Sequence, residues 1–369
     1  MSFSADDIRA AATAGVITTG QADQLVAFLD ARRAPPVAAT QAPAFFESSD
    51  ADNEKFRVLG GFNDIFVAIG VALLYGALMV AGGAVAPLLL SVFGVVAAWG
   101  LSEVFTRRMR LALPSIMLAV LFAASFAIMA ILVIAMFDGD VAGGAGDRAL
   151  ARSSTMFSGF YGVAGGLSVT LAAFLHFRRF GVPIDWAIGA GGLIIAALAI
   201  LGGPFALAAP AVFYALCGAA AFALALSLDM SDPLRRTTRG DAAFWLHLLA
   251  APLMIHPLVG GLAGPVWSLT LERALMVLAA FVVIALVSLT IDRRALLVSG
   301  LSYTGAALAF LARGLGAFSG NGVLILTLLA LAAVVLLLSA GWSRLRGLIV
   351  PALPLGRLAA RLPPISRQP

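Results

Sequence analysis

Between Ile65 and Ala340 the sequence returns about ten times to an apolar run of roughly 17 to 25 residues, with short charged connections between the runs. Few folds accept this pattern. A run of that length crosses a bilayer as a helix, because only a helix satisfies its own backbone N–H and C=O groups where no water reaches. Composition agrees: 61% of the 369 residues are hydrophobic and 12% are charged, too little polar surface for a water-soluble body of that size. A membrane β-barrel would need short segments of alternating polarity, and the sequence does not carry them. The expected fold class is all-α: a polytopic transmembrane helical bundle of about ten spans, with a small N-terminal cytoplasmic helical hairpin.

The spans are expected at 65–83, 86–105, 113–136, 154–176, 184–201, 205–228, 242–262, 270–291, 295–312 and 322–341. The connections within pairs 1/2 and 5/6, around Val85 and Gly202–Gly203–Pro204, are short enough for either pair to form a re-entrant hairpin. Asp6 and Asp7 open the chain without an early apolar core, so the first span is expected to act as the insertion signal.

Basic residues set the orientation. Arg107, Arg108, Arg110, Arg178, Arg179, Arg235, Arg236, Arg239, Arg293 and Arg294 fall in alternate connections, and each tail adds five more, which makes 20 on one side. The other side holds Arg148, Arg152, Arg273 and Arg313, which makes 4. By the positive-inside rule both termini are cytoplasmic, as an even number of spans requires. Arginine, alanine and glycine richness suggests a GC-rich bacterial genome. Trp99, Trp186, Trp245, Trp267 and Trp342 lie near expected span ends, where an amphipathic ring favours the headgroup zone.

Four regions follow: a hairpin at 1–33, a linker at 34–60, the bundle at 61–341 and a basic tail at 342–369. In the hairpin, Ser4 with Asp7 and Thr18 with Gln21 form capping-box pairs around a stop at Gly15. Ala22, Leu25, Val26 and Leu29 then make an apolar stripe that needs a partner, another copy or a membrane surface. Residues 1–33 carry Asp6, Asp7, Asp23 and Asp30 against Arg9, Arg32 and Arg33, a balance of −1. Phosphate binding needs a basic face, so no nucleic acid is expected. In the tail, arginines alternate with Leu345, Leu348, Ile349, Leu355 and Leu358, as suits an interfacial segment on anionic lipid.

The segment DIRAAATAGVITTGQADQLVAFL, a linker and then GGFNDIFVAIGVALLYGAL together resemble the layout of a bacterial multi-pass inner-membrane protein family of unknown function, which places a short helical segment before its bundle. The likeness covers about the first 80 residues. It implies an inner-membrane protein and supplies no site residues.

Ionisable groups at bilayer depth are functional candidates, because burying them costs several kcal/mol unless they are paired. Asp64, Asp185 and Asp241 fall in first helical turns, where a carboxylate favours the free N–H groups. Glu103 precedes Arg107 by four residues, a simple helix pair, and His176 sits beside Arg178 and Arg179 in the headgroup zone.

The seventh span stands out: it carries His247, Pro252, His256 and Pro257. The two histidines are nine residues apart, about 13.5 Å along the helix and on opposite faces. The prolines remove backbone donors and free carbonyls near His256. An antiparallel hairpin would bring His256 to the depth of Glu272 and Arg273, and a His256–Glu272 contact is expected. The four tyrosines, Tyr75, Tyr161, Tyr214 and Tyr303, are mid-span; they line a polar cavity if they converge and are packing if each bonds a nearby carbonyl. Gly159, Gly162 and Gly166 in span 4, and Gly189 to Gly192 in span 5, mark close helix packing.

Chemistry is sparse. Cys217 is the one cysteine, and the sequence has no Walker loop, metal-spaced Cys/His cluster or paired carboxylates, so no cofactor or metal is expected. Ser158 in FSGFYGVAGG faintly resembles the serine motif of rhomboid proteases but lacks that motif's first glycine. An enzyme is the least favoured class. The favoured reading is a carrier of a small solute or lipid. The alternative is a non-catalytic scaffold or sensor that binds a protein partner, or itself, through residues 4–33.

Overall fold

The computed structural model describes residues 62–81, 87–137, 159–201, 210–235, 237–263, 269–314 and 320–354, with isolated positions between 10 and 21 and at 356, 362 and 363. The chain divides into two compact units, Met1–Ser49 and Asp50–Pro369. Within the first, Thr18 and Gln21 form the expected capping box. The Thr18 N–H donates to Gln21 Oε1 (3.0 Å), and the Gln21 N–H donates to Thr18 Oγ1 (3.3 Å). The Ser4–Asp7 pair and the 22–29 stripe lie outside the described residues.

The second unit is a helical bundle. Its helices are α1 (Phe62–Ala81), α2 (Pro87–Leu101), α3 (Ala112–Phe137), α4 (Phe160–Phe180), α5 (Asp185–Leu201), α6 (Pro210–Ser231), α7 (Thr238–Ala263), α8 (Leu271–Ile291), α9 (Ala295–Gly314) and α10 (Asn321–Ile349). α2 runs on into a π-helical segment, Ser102–Arg108, and α10 into a 3₁₀ turn, Val350–Ala352. Among the described residues, nine of these helices are long and apolar enough to cross a membrane, and α5, with 17 residues, is a shorter apolar helix. The molecule is an all-α, multi-pass membrane protein.

The buried and exposed residues explain why. Side chains at the helix crossings are small: Ala98, Ala172, Ala250, Ala251 and Ala307 are wholly buried. Many large aliphatics point outward, with Val80 84% and Leu337 72% exposed. In water such a surface would aggregate. In a bilayer it meets solvent of its own kind, and close approach of small residues supplies the packing. Gly166 and Gly192 are the tightest case. A Cβ on Gly166 would lie 2.5 Å from the Gly192 carbonyl oxygen, and one on Gly192 would lie 2.6 Å from that of Gly166. Thr170 Oγ1 beside them reaches the carbonyls of Gly166 (3.0 Å) and Gly189 (3.1 Å). The expected glycine-mediated contact of spans 4 and 5 is therefore present.

α3 is the hub of the first five helices, packing on α1, α2, α4 and α5. α7 packs on α6, α8 and α9 and also on α5, which joins the two halves. Four connections are short, and their residues apart from Arg236 are described: α2–α3, α4–α5, α6–α7 and α8–α9. All four lie at the end that carries the paired arginines. Each contains one residue in the left-handed region: Arg110 (φ 56°), Gly181 (φ 68°), Arg235 (φ 51°) and Asp292 (φ 58°). For Arg and Asp this backbone costs about 1 kcal/mol and is held only where side chains fix it.

α10 continues eight residues past its expected end at 341. Trp342 and Arg346 are consequently core residues, not interfacial ones. The Trp342 indole N–H donates to Asp292 Oδ1 (2.8 Å), and Arg346 donates through Nε to the Leu289 carbonyl (3.0 Å) and through Nη2 to that of Pro363 (2.8 Å). The interfacial readings of Trp342 and of this part of the tail are corrected accordingly.

Candidate functional site

Two buried polar networks lie at the arginine-rich end. The first joins α2, α4 and α5. His176 is wholly buried; its Nδ1–H donates to Asp185 Oδ2 (2.8 Å), and its Nε2 is 3.3 Å from Ser102 Oγ. Ser102 starts the π-helical segment, which turns its hydroxyl inward. The rings of Phe122 and Phe180 pack on the imidazole at centroid distances of 5.7 and 4.7 Å. Ser–His–Asp in this order is the arrangement of a hydrolase triad. Here Ser102 and His176 are fully enclosed, so no substrate reaches the hydroxyl. The arrangement therefore fastens one hairpin to the next. Nearby, Glu103 accepts from Arg107 (3.2 Å), as expected, and from Arg179 of α4 (2.6 Å). Ser158 lies outside the described residues.

The second network joins α6, α7, α8, α9 and α10. Asp229 Oδ2 accepts from Arg293 Nε (3.0 Å) and His247 Nε2 (3.0 Å), while its Oδ1 accepts from Arg293 Nη2. The same guanidinium donates to the Gly240 carbonyl (2.8 Å). Next along the α8–α9 turn, Asp292 accepts from Arg235 (3.0 Å) and Trp342, with Arg346 3.6 Å away. Arg235 also donates to the Ile291 and Asp292 carbonyls (3.1 and 2.8 Å). The left-handed turn residues Arg235 and Asp292 thus fix each other.

Sequence reasoning placed Arg235 and Arg293 in loops and His176 in the headgroup zone; all three are drawn into the protein. Asp229 was missed. Its one signal is an acid in the last turn of an apolar run, followed by Asp232 and a pair of arginines.

The third histidine differs. His256 lies 18 residues beyond Thr238, about 27 Å along α7 from the arginine-rich end. It is exposed, on the face opposite His247 as expected. Its Nδ1 is 2.9 Å from the Tyr303 hydroxyl of α9. The expected His256–Glu272 contact is not made. Glu272 and Arg273 are both exposed in the first turn of α8, whose cap is Thr270, accepting from the Arg273 N–H (3.3 Å). α7 packs on α9 as well as α8, and Tyr303 occupies the position proposed for the carboxylate.

Beside His256 is a cleft of about 420 Å³ between α6 and α7, lined by Ala211, Tyr214, Pro252, Leu253, His256 and Pro257. α7 runs through both prolines. Pro257 removes the N–H that would bond the Leu253 carbonyl. On the α6 side, a Cβ on Gly218 would sit 2.8 Å from the Met254 nitrogen, so the helices touch there.

The tyrosines divide. Tyr214 lines the cleft and Tyr303 holds His256. Tyr75 bonds the Gly94 carbonyl across α1 and α2, as packing, and Tyr161 meets Phe160 edge to face (6.1 Å). The four do not converge. Among the described residues no group of three or more His, Cys, Asp or Glu is placed to hold a metal.

No protein-family model matches the sequence, no curated protein is significantly similar to it, and no solved structure is significantly similar to its fold.

Proposed function

We propose that the protein is a carrier of a small amphipathic solute or lipid, bound in the α6–α7 cleft in the half of the bundle remote from the arginine-rich end. The supporting observation is the cleft: it has apolar walls, with His256 and Tyr214 among its lining residues, beside a helix that carries two prolines. Ligand sites are commonly concave, mostly apolar and marked by a few convergent polar groups. The networks at the other end support the reading from the opposite side. They tie α6, α7, α8, α9 and α10 together there, so that end is closed while the cleft is open. On the charge distribution, the closed end faces the cytoplasm of a bacterial inner membrane, with both termini on that side. Counterflow of amphiphiles in proteoliposomes tests this reading. Transport that His256→Phe reduces at least tenfold supports it; no transport across a broad panel of lipids and apolar solutes contradicts it.

A second reading has its own observation. Residues 1–49 form a separate compact unit, and its capping box at Thr18 and Gln21 is formed. Such a unit suits a scaffold or sensor that recruits a protein partner or a second copy. Deleting residues 1–54 then abolishes partner capture and leaves the bundle folded. Unchanged capture after the deletion contradicts it.

A further inference from the structure

We infer that the joined ends of α2 and α4 form a headgroup site for an anionic phospholipid, separate from the α6–α7 cleft. The two halves of the bundle use their arginines differently. In the second half Arg235, Arg293 and Arg346 are turned inward, with side chains 13%, 3% and 1% exposed, and each faces Asp229 or Asp292. In the first half the arginines are turned outward. Residues 103–110 and 174–181 carry five arginines and one carboxylate. That carboxylate, Glu103, accepts from Arg107 (3.2 Å) and Arg179 (2.6 Å), which pins the two helix ends together and brings both arginine pairs to one patch. Arg108, Arg110 and Arg178 are exposed, and none of them bonds a carboxylate among the described residues.

The surface around these arginines identifies the occupant. Val104, Met109, Phe174 and Leu175 are exposed beside them at the ends of two spans. Phosphate above and acyl chains below meet such a surface, whereas a soluble anion or an acidic peptide would use the arginines alone. The Arg178 guanidinium lies 5.6 Å over the Phe174 ring. Stacking engages the guanidinium face and leaves its N–H fork open to a phosphodiester. Arg110 adds a separate observation. Its φ of 56° is in the left-handed region, where the α4–α5 turn uses Gly181. Arg235 and Asp292 adopt the same conformation and bond each other. The Arg110 turn is closed by a backbone bond from the Leu111 N–H to the Phe105 carbonyl (2.9 Å), which leaves the guanidinium unused. An arginine kept where glycine fits better serves a contact outside the chain. Arg239 and Arg344 of the second half are exposed too, but they stand singly on α7 and α10.

The test is native mass spectrometry of the full chain in detergent, titrated with phosphatidylglycerol or with phosphatidylcholine of the same acyl chains. The expected result is tighter binding of phosphatidylglycerol, a preference that Arg108→Gln with Arg178→Gln lowers about tenfold and that Arg239→Gln with Arg344→Gln leaves unchanged. Arg110→Gly separates binding from folding. It is expected to weaken phosphatidylglycerol binding while thermal unfolding without added lipid stays the same or rises, because glycine suits the left-handed backbone. If the paired glutamine variant does not fold, Arg110→Gly alone decides. Equal binding of the two lipids overturns the inference. Equal loss of preference in both paired variants also overturns it, because net charge and not this patch would then be responsible. Displacement of phosphatidylglycerol by inorganic phosphate at low millimolar concentration overturns the lipid assignment in favour of a free anion.

Discussion

His176 and His247 sit at one end of the bundle, His256 towards the other, and the three differ in how much of the imidazole the protein uses. His176 has both nitrogens engaged and phenyl rings on its faces. His247 is equally buried and donates to Asp229, whose charge Arg293 offsets. His256 is exposed in a cleft, bonded through one nitrogen to a neutral hydroxyl. Burial with an acid partner makes a histidine a fastener between helices. A nitrogen left over beside an apolar cleft is what the carrier reading uses for recognition. The residue type is the same, and surroundings decide the role.

This contrast breaks most visibly at Asp229. Asp229→Ala leaves Arg293 buried without its carboxylate, which is expected to cost about 3–5 kcal/mol. Thermal unfolding in detergent should show a large fall, or the variant should not accumulate. A change of a degree or two would remove the fastener reading of the second network.

Gly192→Val probes packing rather than charge. Its Cβ would lie 2.5 Å from Thr170 Oγ1 and 2.8 Å from the Thr170 nitrogen, so backbone must move. A loss of about 3 kcal/mol is expected, read by the same unfolding assay. Near-wild-type stability would mean α4 and α5 are farther apart than described.

His176→Phe keeps a ring but leaves Asp185 and Ser102 without their partner, at about 1–3 kcal/mol. Ser102 should also resist a fluorophosphonate probe in the folded protein, because it is fully buried. Labelling that Ser102→Ala abolishes would turn this fastener into an enzyme site. The smallest stability effect belongs to His256→Phe: unfolding unchanged within about 0.5 kcal/mol, as for other surface changes, with ligand binding lost. A large destabilisation there would put His256 among the fasteners.

How much of this was legible in sequence depends on distance along the chain. The helices were readable because run length and loop charge are local properties, and α1 to α9 begin and end within six residues of expectation. The exception is α10, where Ser343, Arg344 and Arg346 signal an end, although the helix carries Trp342 and Arg346 inward to Asp292 and Leu289. The Thr18–Gln21 box was readable for the same local reason. Asp229–Arg293 was not: the partners are 64 residues apart and meet only through the packing of α6 on α7 and α7 on α9. His256 was found from its prolines. Its partner was assigned to Glu272 by assuming that a hairpin neighbour is the only neighbour, and a bundle gives α7 several.

The most direct measurement of the central claim is lipid photo-crosslinking in the membrane, with a diazirine-bearing acyl chain and mass-spectrometric mapping of the labelled residues. The account predicts labelling concentrated at 211–214 and 252–257, reduced by an excess of unlabelled lipid. Labelling spread evenly over the outward aliphatic faces, with no excess at the α6–α7 cleft, would contradict it.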